Sequence, residues 1–326
     1  MGTPGVRRLI RNGKVTDPSS PSLATTAAGI TFQNPIVLAA GTAAYGREIA
    51  NVVALDRLGG LVTKAVSVEV RPGAPAPRVA DFGDGMINAV GLANPGMDVV
   101  KRDELPWLAA NVQRARVMVN VVGRILEDFA QVVETLDDAP GFQAFELNVS
   151  CPNTRAGGLE FGADRDALTA LVSRARARTK RPLFVKLSPT LANIGDTAKC
   201  AADAGADGIS VVNTIPGLVI DPDTRRPALG FGTGGVSGPG LRPVGVLATY
   251  RVRQAVSLPI LGLGGVTTAD DALQYLLAGA SIVGIGTAAL ADPRQPERIV
   301  DGLRRWCSTH GVARISEIIG TLEWPS

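Results

Sequence analysis

Polar and reactive side chains recur at the ends of short apolar segments in this sequence. They supply two cations, several amide donors and acceptors, and one thiol. If the segments are neighbouring parallel strands, their carboxyl ends meet at one rim, where barrel enzymes build their active sites. Any one of these residues could simply cap a strand, whereas six on one rim predict a site with chemistry. The candidates are Lys64, Asn120, Asn148, Cys151, Lys186 and Asn213, with Thr214 beside the last.

Scarce residue types exclude several other mechanisms. The 326 residues include one histidine, His310, and three cysteines, Cys151, Cys200 and Cys307. A single histidine excludes a multi-histidine zinc site and argues against a Ser-His-Asp mechanism. The cysteines form no CxxC motif, so neither a zinc site nor an iron–sulfur cluster is predicted in this chain. Their odd, sparse number argues against a disulfide scaffold and predicts a reducing cytoplasm.

Composition predicts a compact soluble protein without a strongly charged partner. The chain is 45% hydrophobic and 19% charged, and 33 basic against 30 acidic residues give a net charge of +3. This charge is too small to predict a nucleic-acid or membrane surface. The basic run 174–181 lacks aromatic residues and is typical of a solvated helix face. The uncharged stretch 272–291 contains three glycines, so it predicts a helix end, a turn and a buried strand rather than a membrane span.

Eight apolar segments rich in β-forming residues alternate with helical patterns. This alternation predicts a single-domain α/β fold, the (β/α)8 TIM barrel, with a doubly wound sheet as the open alternative. Helices are predicted at Leu126–Leu136, Asp164–Lys180 and Thr268–Ala278. Gly205 and Gly279 fit the left-handed position after a helix end. The predicted strands are Ile36–Ala40, Gly60–Val66, Arg116–Val122, Phe142–Val149, Pro182–Leu187, Gly208–Asn213, Pro259–Gly264 and Ser281–Gly286.

Two long insertions and a loose start complete the predicted organisation. Residues 1–28 contain many Ser, Thr, Pro and Arg residues without an apolar core, which predicts a loose extension rather than a secretory signal. Residues 29–326 then form the barrel domain. Residues 67–115 follow the second strand and residues 214–243 follow the sixth. Both insertions leave the carboxyl end of a strand, so both are predicted to border the active site.

Glycines at the ends of the last two strands predict a phosphate site. The motifs are "GLGGV" at 262–266 and "GIGT" at 284–287. In barrels, the loops after these strands bind phosphate through backbone N–H groups, and the predicted donors are Gly264, Gly265, Gly286 and Thr287. No GxGxxG motif opens a helix after the first strand. The predicted ligand is therefore a mononucleotide or a sugar phosphate rather than NAD.

Several motifs, in order along the chain, resemble those of the dihydroorotate dehydrogenase family. They are "DGMINAVGLANPG" (84–96), "FELNVSCPNTRAGG" (145–158), "VKLSP" (185–189), "VVNT" (211–214) and "GTGGVSGPGLRP" (232–243). The resemblance extends from about residue 34 to about residue 302. It implies an FMN-dependent (β/α)8 barrel that oxidises dihydroorotate to orotate in pyrimidine biosynthesis.

The resemblance also implies a subclass. Class 1 enzymes carry cysteine at the position of Cys151, whereas membrane-associated class 2 enzymes carry serine there and have an N-terminal amphipathic segment. "TGGVSGP" and "GREIA" are most similar to class 1B, which implies a partner subunit that carries FAD and a [2Fe–2S] cluster and uses NAD. A homodimer or heterotetramer is the implied assembly, and fumarate stays open as the alternative acceptor. Residues 81–84 depart from the family's usual Glu-Thr pattern before the substrate loop.

Site residues follow from the resemblance. Cys151 is the implied general base, Lys64 faces the substrate carboxylate and the flavin edge, and Lys186 lies on the flavin N1/O2 side. The other implied substrate contacts are Asn88, Ala89, Val90, Gly91, Leu92, Asn148, Asn213 and Thr214. The other implied FMN contacts are Ala40, Gly41, Lys64, Ala65, Asn120, Asn148, Val212, Gly238, Gly264, Gly265, Gly286 and Thr287.

Two other functions remain open at this point. A dihydropyrimidine (uracil-type) reductase resembles this barrel and has a cysteine on the same loop, but its substrate would leave Lys64 without an anion. A non-redox isomerase or lyase acting on a phosphorylated metabolite would use the same glycines without a flavin. Turnover of dihydroorotate and the visible absorbance of a flavin distinguish the three.

Overall fold

Eight parallel strands form a closed barrel. The structure, a computed structural model, describes residues 10–11, 14–15, 20–150 and 161–325, so the predicted base Cys151 lies outside the described residues. Each strand pairs with the next, and the last pairs with the first, which excludes the doubly wound sheet. Each of the eight barrel strands lies within its predicted segment, so the predicted barrel is confirmed. The strands are β1 (Ile36–Leu38), β2 (Gly60–Val62), β3 (Arg116–Val121), β4 (Ala144–Asn148), β5 (Leu183–Leu187), β6 (Gly208–Val211), β7 (Ile260–Leu263) and β8 (Ile282–Ile285).

Helices follow β2 to β8 in the described part of the chain. They are α1 (Leu105–Asn111), α2 (Leu126–Leu136), α3 (Arg165–Arg176), α4 (Ile194–Asp203), α5 (Arg242–Ala255), α6 (Ala269–Leu277), α7 (Thr287–Ala291) and α8 (Gln295–Thr309). Shorter helical segments are Leu55–Arg57, Met97–Val99, Val100–Glu104, Phe161–Ala163, Pro239–Leu241 and Ile315–Ile318. Gly205 and Gly279 have φ values of +107° and +113° just beyond α4 and α6, as predicted.

The stretch 272–291 comprises the end of α6, a turn, the buried strand β8 and the short helix α7. This arrangement confirms the prediction made from its glycines. In the part of the chain that the structure describes, no helix has both the length and the apolar character that crossing a membrane would require.

An antiparallel hairpin closes the amino-terminal end of the barrel. Its strands, Thr25–Ala27 and Ile30–Phe32, lead directly into β1. Phe32 is fully buried and packs with Met118 and Phe184 in the apolar interior of the barrel. The loose extension predicted for residues 1–28 is therefore corrected at its end, because residues 25–27 belong to the packed domain. The closed apolar end leaves the opposite, carboxyl end of the strands for polar chemistry.

The two insertions combine into one small sheet above that carboxyl end. The first contributes Val79–Asp81 and Met86–Asn88, and the second contributes Ile215–Gly217 and Gly234–Ser237. Met86–Asn88 pairs with Gly234–Ser237, so residues about 150 positions apart become neighbours. The remaining described strands are the short pairs Ile10–Arg11 with Lys14–Val15 and Ile220–Asp221 with Arg226–Pro227.

Asp271 secures the start of α6 beside the glycines that follow β7. Its buried carboxylate accepts hydrogen bonds from the N–H groups of Thr267 and Thr268, both at 2.9 Å, and forms an ion pair with Arg242. The Thr268 hydroxyl accepts a 3.2 Å hydrogen bond from the Asp271 N–H, which completes a capping box. Burial opposes ionisation, but the hydrogen bonds from Thr267 and Thr268 outweigh it and lower the Asp271 pKa.

We expect Asp271→Asn to lower the free energy of unfolding by about 2 kcal/mol at pH 7, because the capping box and the charge on Arg242 lose their partner. A pKa lowered by folding stabilises the protein above the ordinary carboxyl pKa of about 4, and this contribution is lost as the pH falls through the folded-state value. Urea unfolding should therefore show the variant and the wild type converging below about pH 4. Asp270→Asn, at an exposed neighbour, is the control; equal effects of both variants would contradict the assignment.

Candidate active site

A polar layer lies on top of the apolar interior of the barrel. Strand residues two positions apart face the same side, so Asn120, Glu146 and Lys186 share the inward face with the buried Met118, Ala144 and Phe184, respectively. All three polar residues are at most 5% exposed. The interior therefore changes from hydrocarbon to amide, carboxyl and ammonium groups toward the carboxyl ends of the strands.

Lys186 and Asn148 lie side by side at this end. They are register partners on β5 and β4, and Lys186 also pairs with Ser210 on β6. The Ser210 hydroxyl is buried and has no hydrogen-bond partner among the described residues. Within the residues described, the Lys186 ammonium group forms no ion pair or hydrogen bond. Buried polar groups of this kind suit a ligand that brings acceptors and negative charge into the barrel mouth.

Ser150 joins two of the predicted substrate contacts. Its hydroxyl donates a 3.0 Å hydrogen bond to Asn148 Oδ1 and accepts a 2.7 Å hydrogen bond from Asn213 Nδ2. The Asn213 side-chain oxygen accepts from the N–H of Thr214 at 2.9 Å. Ser150, which directly precedes Cys151 in the chain, thus connects the amide at the end of β4 with the amide after β6. Ser150 was not predicted as a site residue, although its place between Asn148 and Cys151 was a usable signal.

Two backbone contacts position the segment that contains Lys64 and Ala65 after β2. The Lys64 N–H donates to the Ala44 carbonyl at 2.7 Å, and the Tyr45 hydroxyl donates to the Ala65 carbonyl at 3.1 Å. Burial, followed by the charge of Glu104, raises the Tyr45 pKa, so its hydroxyl stays protonated as a donor. Lys64 itself is half-buried, which leaves its side chain accessible to a ligand.

The predicted substrate loop, residues 88–92, is fastened at both ends. At its start, Asn88 Nδ2 donates to the Gly235 carbonyl at 3.3 Å. At its end, Asn94 Nδ2 donates to the Leu92 carbonyl and to the Ser67 hydroxyl, both at 2.8 Å. Gly91 and Leu92 have φ values of +70° and +56°. Ala89 and Val90 complete the loop, which the insertion sheet holds above the strand ends.

The predicted phosphate glycines converge beside the insertion sheet. Gly264 and Gly265 have φ values of +123° and +69°, and a Cβ on Gly265 would lie 2.8 Å from the Gly238 carbonyl oxygen. The Thr287 hydroxyl donates to the Ser237 hydroxyl at 2.8 Å, which links α7 to the sheet. The remaining predicted cofactor contacts follow β1, β6 and β8: Ala40 and Gly41, then Val212 with its N–H on the Leu263 carbonyl, then Gly286.

The motif resemblance implies FMN as the phosphorylated ligand, and we expect Gly265→Ala to raise its dissociation constant by roughly tenfold. The new Cβ would lie 2.5 Å from the Arg242 backbone nitrogen and force the Pro239–Leu241 turn away. Gly311→Ala is the matched control: its φ of +66° imposes the same backbone strain, and no atom lies within 4 Å of the added Cβ. Titration of apoprotein with FMN measures both. Equal FMN affinities in the two variants would remove Gly265 from the phosphate site.

A (β/α)8 barrel with lysine and amide side chains at its strand ends and glycines after β7 and β8 is typical of enzymes that bind a phosphorylated ligand at the barrel mouth. Residues 22–306 match the sequence model of the dihydroorotate dehydrogenase family, and the chain belongs to that family.

Relatives in several bacteria support the assignment. The chain is 42% identical over 303 residues to the catalytic subunit of dihydroorotate dehydrogenase B (NAD(+)) of Pelobacter propionicus, covering 93% of this chain and 99% of the relative. It is 43% identical to the subunit of that name in Desulforudis audaxviator, covering 91% and 96% of the two chains. It is also 44% identical to a protein of Solibacter usitatus provisionally named dihydroorotate dehydrogenase A (fumarate), covering 94% and 100%.

Proposed function

We propose that this protein oxidises dihydroorotate to orotate for pyrimidine biosynthesis, with FMN as its flavin. The observation that carries the proposal is the paired amides of Asn148 and Asn213, bridged by Ser150 beside the buried Lys186. A planar ring with alternating N–H and C=O groups needs side chains that both donate and accept, which amides do. Membership of the family supplies the substrate class.

The reaction removes a proton from C5 and a hydride from C6 of dihydroorotate. When bound, the flavin supplies the acceptor for the hydride. Cys151 takes the proton on its sulfur, since the lone histidine lies at residue 310, at the C-terminal end of α8. Lys64 binds the substrate carboxylate, and Asn88 with residues 89–92 closes one edge of the ring. The reaction releases one proton and one hydride, so it needs no general acid or base besides Cys151.

The residues of the barrel mouth fit FMN. Lys186 and the Ser210 hydroxyl, which has no hydrogen-bond partner in the part of the chain that the structure describes, place donors in the polar layer, where reduction adds negative charge to the flavin. Asn120 lies in the same layer and is proposed to hydrogen-bond the ring. The positive φ values of Gly264 and Gly265 let the backbone approach a phosphate closely, since no Cβ stands in the way. Ala65, Val212 and Gly238 contribute backbone contacts.

We further propose that electrons leave through a partner subunit that carries FAD and a [2Fe–2S] cluster and reduces NAD. The names of two relatives, which specify a catalytic subunit and NAD(+), support this, whereas the Solibacter relative is named for fumarate. The proposed assembly is a homodimer of this chain or a heterotetramer with the partner. The sparse cysteines favour the cytoplasm as its location.

One experiment tests the function and its alternatives. The purified chain should show the visible absorbance of oxidised flavin, and anaerobic dihydroorotate should bleach it, whereas dihydrouracil should not. A colourless protein that binds no FMN would favour a non-redox barrel, and bleaching by dihydrouracil would favour a dihydropyrimidine reductase. Rapid reoxidation of the isolated chain by fumarate would overturn the NAD assignment, and slow reoxidation by both fumarate and NAD would uphold the need for a partner.

A further inference from the structure

Glu146 is a buried acidic residue in the polar layer above the apolar interior of the barrel. It lies on β4, two residues before Asn148, and is 1% exposed. Its Oε1 accepts a 2.7 Å hydrogen bond from Asn120 Nδ2, and its register partner on β3 is Asn120. Its Oε2 is buried without a hydrogen-bond partner among the described residues. A buried carboxyl group with half of its acceptor capacity unused is costly, so a structural role alone explains it poorly.

We propose that Glu146 is a positioning residue that fixes the orientation in which Asn120 meets the flavin. This inference rests on the proposed function. A carboxylate oxygen only accepts hydrogen bonds, so the Asn120 group that faces it must be the NH₂. The Asn120 carbonyl oxygen is then turned away from Glu146 and is available as an acceptor. Without Glu146, an amide can rotate and present either its NH₂ or its oxygen, because the two ends have nearly the same shape.

The consequence is a defined hydrogen-bond pattern at the cofactor. The Asn120 oxygen can then accept a hydrogen bond from an N–H group of the ring. It cannot donate to a ring carbonyl, because the NH₂ group of Asn120 faces Glu146 instead. Glu146 reaches the cofactor through Asn120, so its contribution to FMN binding depends on Asn120 being present. That dependence distinguishes positioning from a general effect on folding.

A double-mutant cycle tests the proposal by FMN titration of apoprotein, with flavin fluorescence as the readout. The four proteins are the wild type, Glu146→Gln, Asn120→Ala and the double variant. Glutamine keeps the shape of residue 146 but can also donate, so it permits the flipped Asn120. We expect Glu146→Gln to raise the FMN dissociation constant roughly tenfold in the wild-type background and less than about twofold in the Asn120→Ala background. Equal effects in both backgrounds would overturn the proposal.

A reversal of the hydrogen bond gives a second, independent test. Asn120→Asp sets two carboxyl groups against each other and should weaken FMN binding at least about tenfold. Adding Glu146→Gln to this variant restores one donor and one acceptor between residues 120 and 146. Most of the lost FMN affinity should therefore return. Thermal unfolding of each apoprotein controls for folding, and Glu146→Gln should melt no lower than the wild type because a buried charge is removed.

The outcomes separate this inference from the proposed function. A wild-type apoprotein that binds no FMN would defeat the function itself. Normal FMN binding by the wild type and by Glu146→Gln, or failure of Glu146→Gln to rescue a folded Asn120→Asp variant, would defeat only the role of Glu146. Coupling in the cycle together with rescue would establish it.

Discussion

Cys151→Ala should leave FMN bound but slow the reduction of the flavin by dihydroorotate by at least about 100-fold at neutral pH. This is the usual scale for the loss of a general base. The other side chains proposed to contact the substrate are a lysine, three amides and a threonine hydroxyl; an ammonium group has no acceptor and an amide is a very weak base, so Cys151 is the proposed acceptor of the proton at C5. Stopped-flow absorbance of the flavin under anaerobic conditions measures the rate directly, without involving the physiological electron acceptor.

Cys200→Ala is the matched control for that experiment. Cys200 lies on α4, 7% exposed, where its sulfur is 3.1 Å from the Thr169 hydroxyl and 3.5 Å from the Arg165 carbonyl oxygen. This variant should reduce its flavin at the wild-type rate. Cys307 is a poorer nucleophile than a free thiol, since burial raises its pKa. Wild-type kinetics in Cys151→Ala would remove the cysteine from the mechanism and leave the base unassigned.

Lys186→Met should slow flavin reduction by about 10- to 100-fold and lower the midpoint potential of the bound FMN. Lys186 is 5% exposed and pairs with Asn148 and Ser210 across two strands, so its charge acts in a site largely shielded from water. Hydrogen bonds that involve a charged group are worth about 1.5–3 kcal/mol. The proposed hydrogen bond between Lys186 and the flavin would strengthen as negative charge develops on the ring. Methionine preserves most of the volume, so the effect reports charge rather than a cavity.

The control is Lys199→Met, which removes the same charge from an exposed position on α4. Its flavin spectrum, potential and reduction rate should match those of the wild type, because an exposed charge is screened by water and salt. If Lys186→Met showed the wild-type potential and rate, Lys186 would be a core lysine without a role toward the flavin.

The barrel could be predicted because each of its parts leaves a local trace in the sequence. A strand buried on both faces is a continuous apolar run, as in β7 and β8, and capping residues mark the ends of a helix, as Thr268 and Gly279 do for α6. The predicted strand ends therefore indicated that five polar residues share one rim: Lys64, Asn120, Asn148, Lys186 and Asn213. The motif resemblance added the substrate and the flavin, which composition and periodicity do not specify.

Other features of the fold and of the site left little or no local signal in the sequence. The hairpin at residues 25–32 was missed because short strands in a polar segment resemble a loose extension. The pairing of Met86–Asn88 with Gly234–Ser237 joins two insertions far apart in the chain. Ser150, Asn94 and Ser237 act through hydrogen bonds whose partners are specified only after folding.

Glu146 shows which properties of a site residue follow from the sequence and which follow only from the tertiary structure. The sequence alone shows an acidic residue inside an apolar strand, two positions before Asn148. Only the closed barrel shows that it faces inward, that its partner is Asn120 on the neighbouring strand, and that one of its oxygens has no hydrogen-bond partner within residues 20–150 and 161–325. Periodicity reports which face a side chain occupies, whereas strand register and barrel closure decide which residues meet on that face.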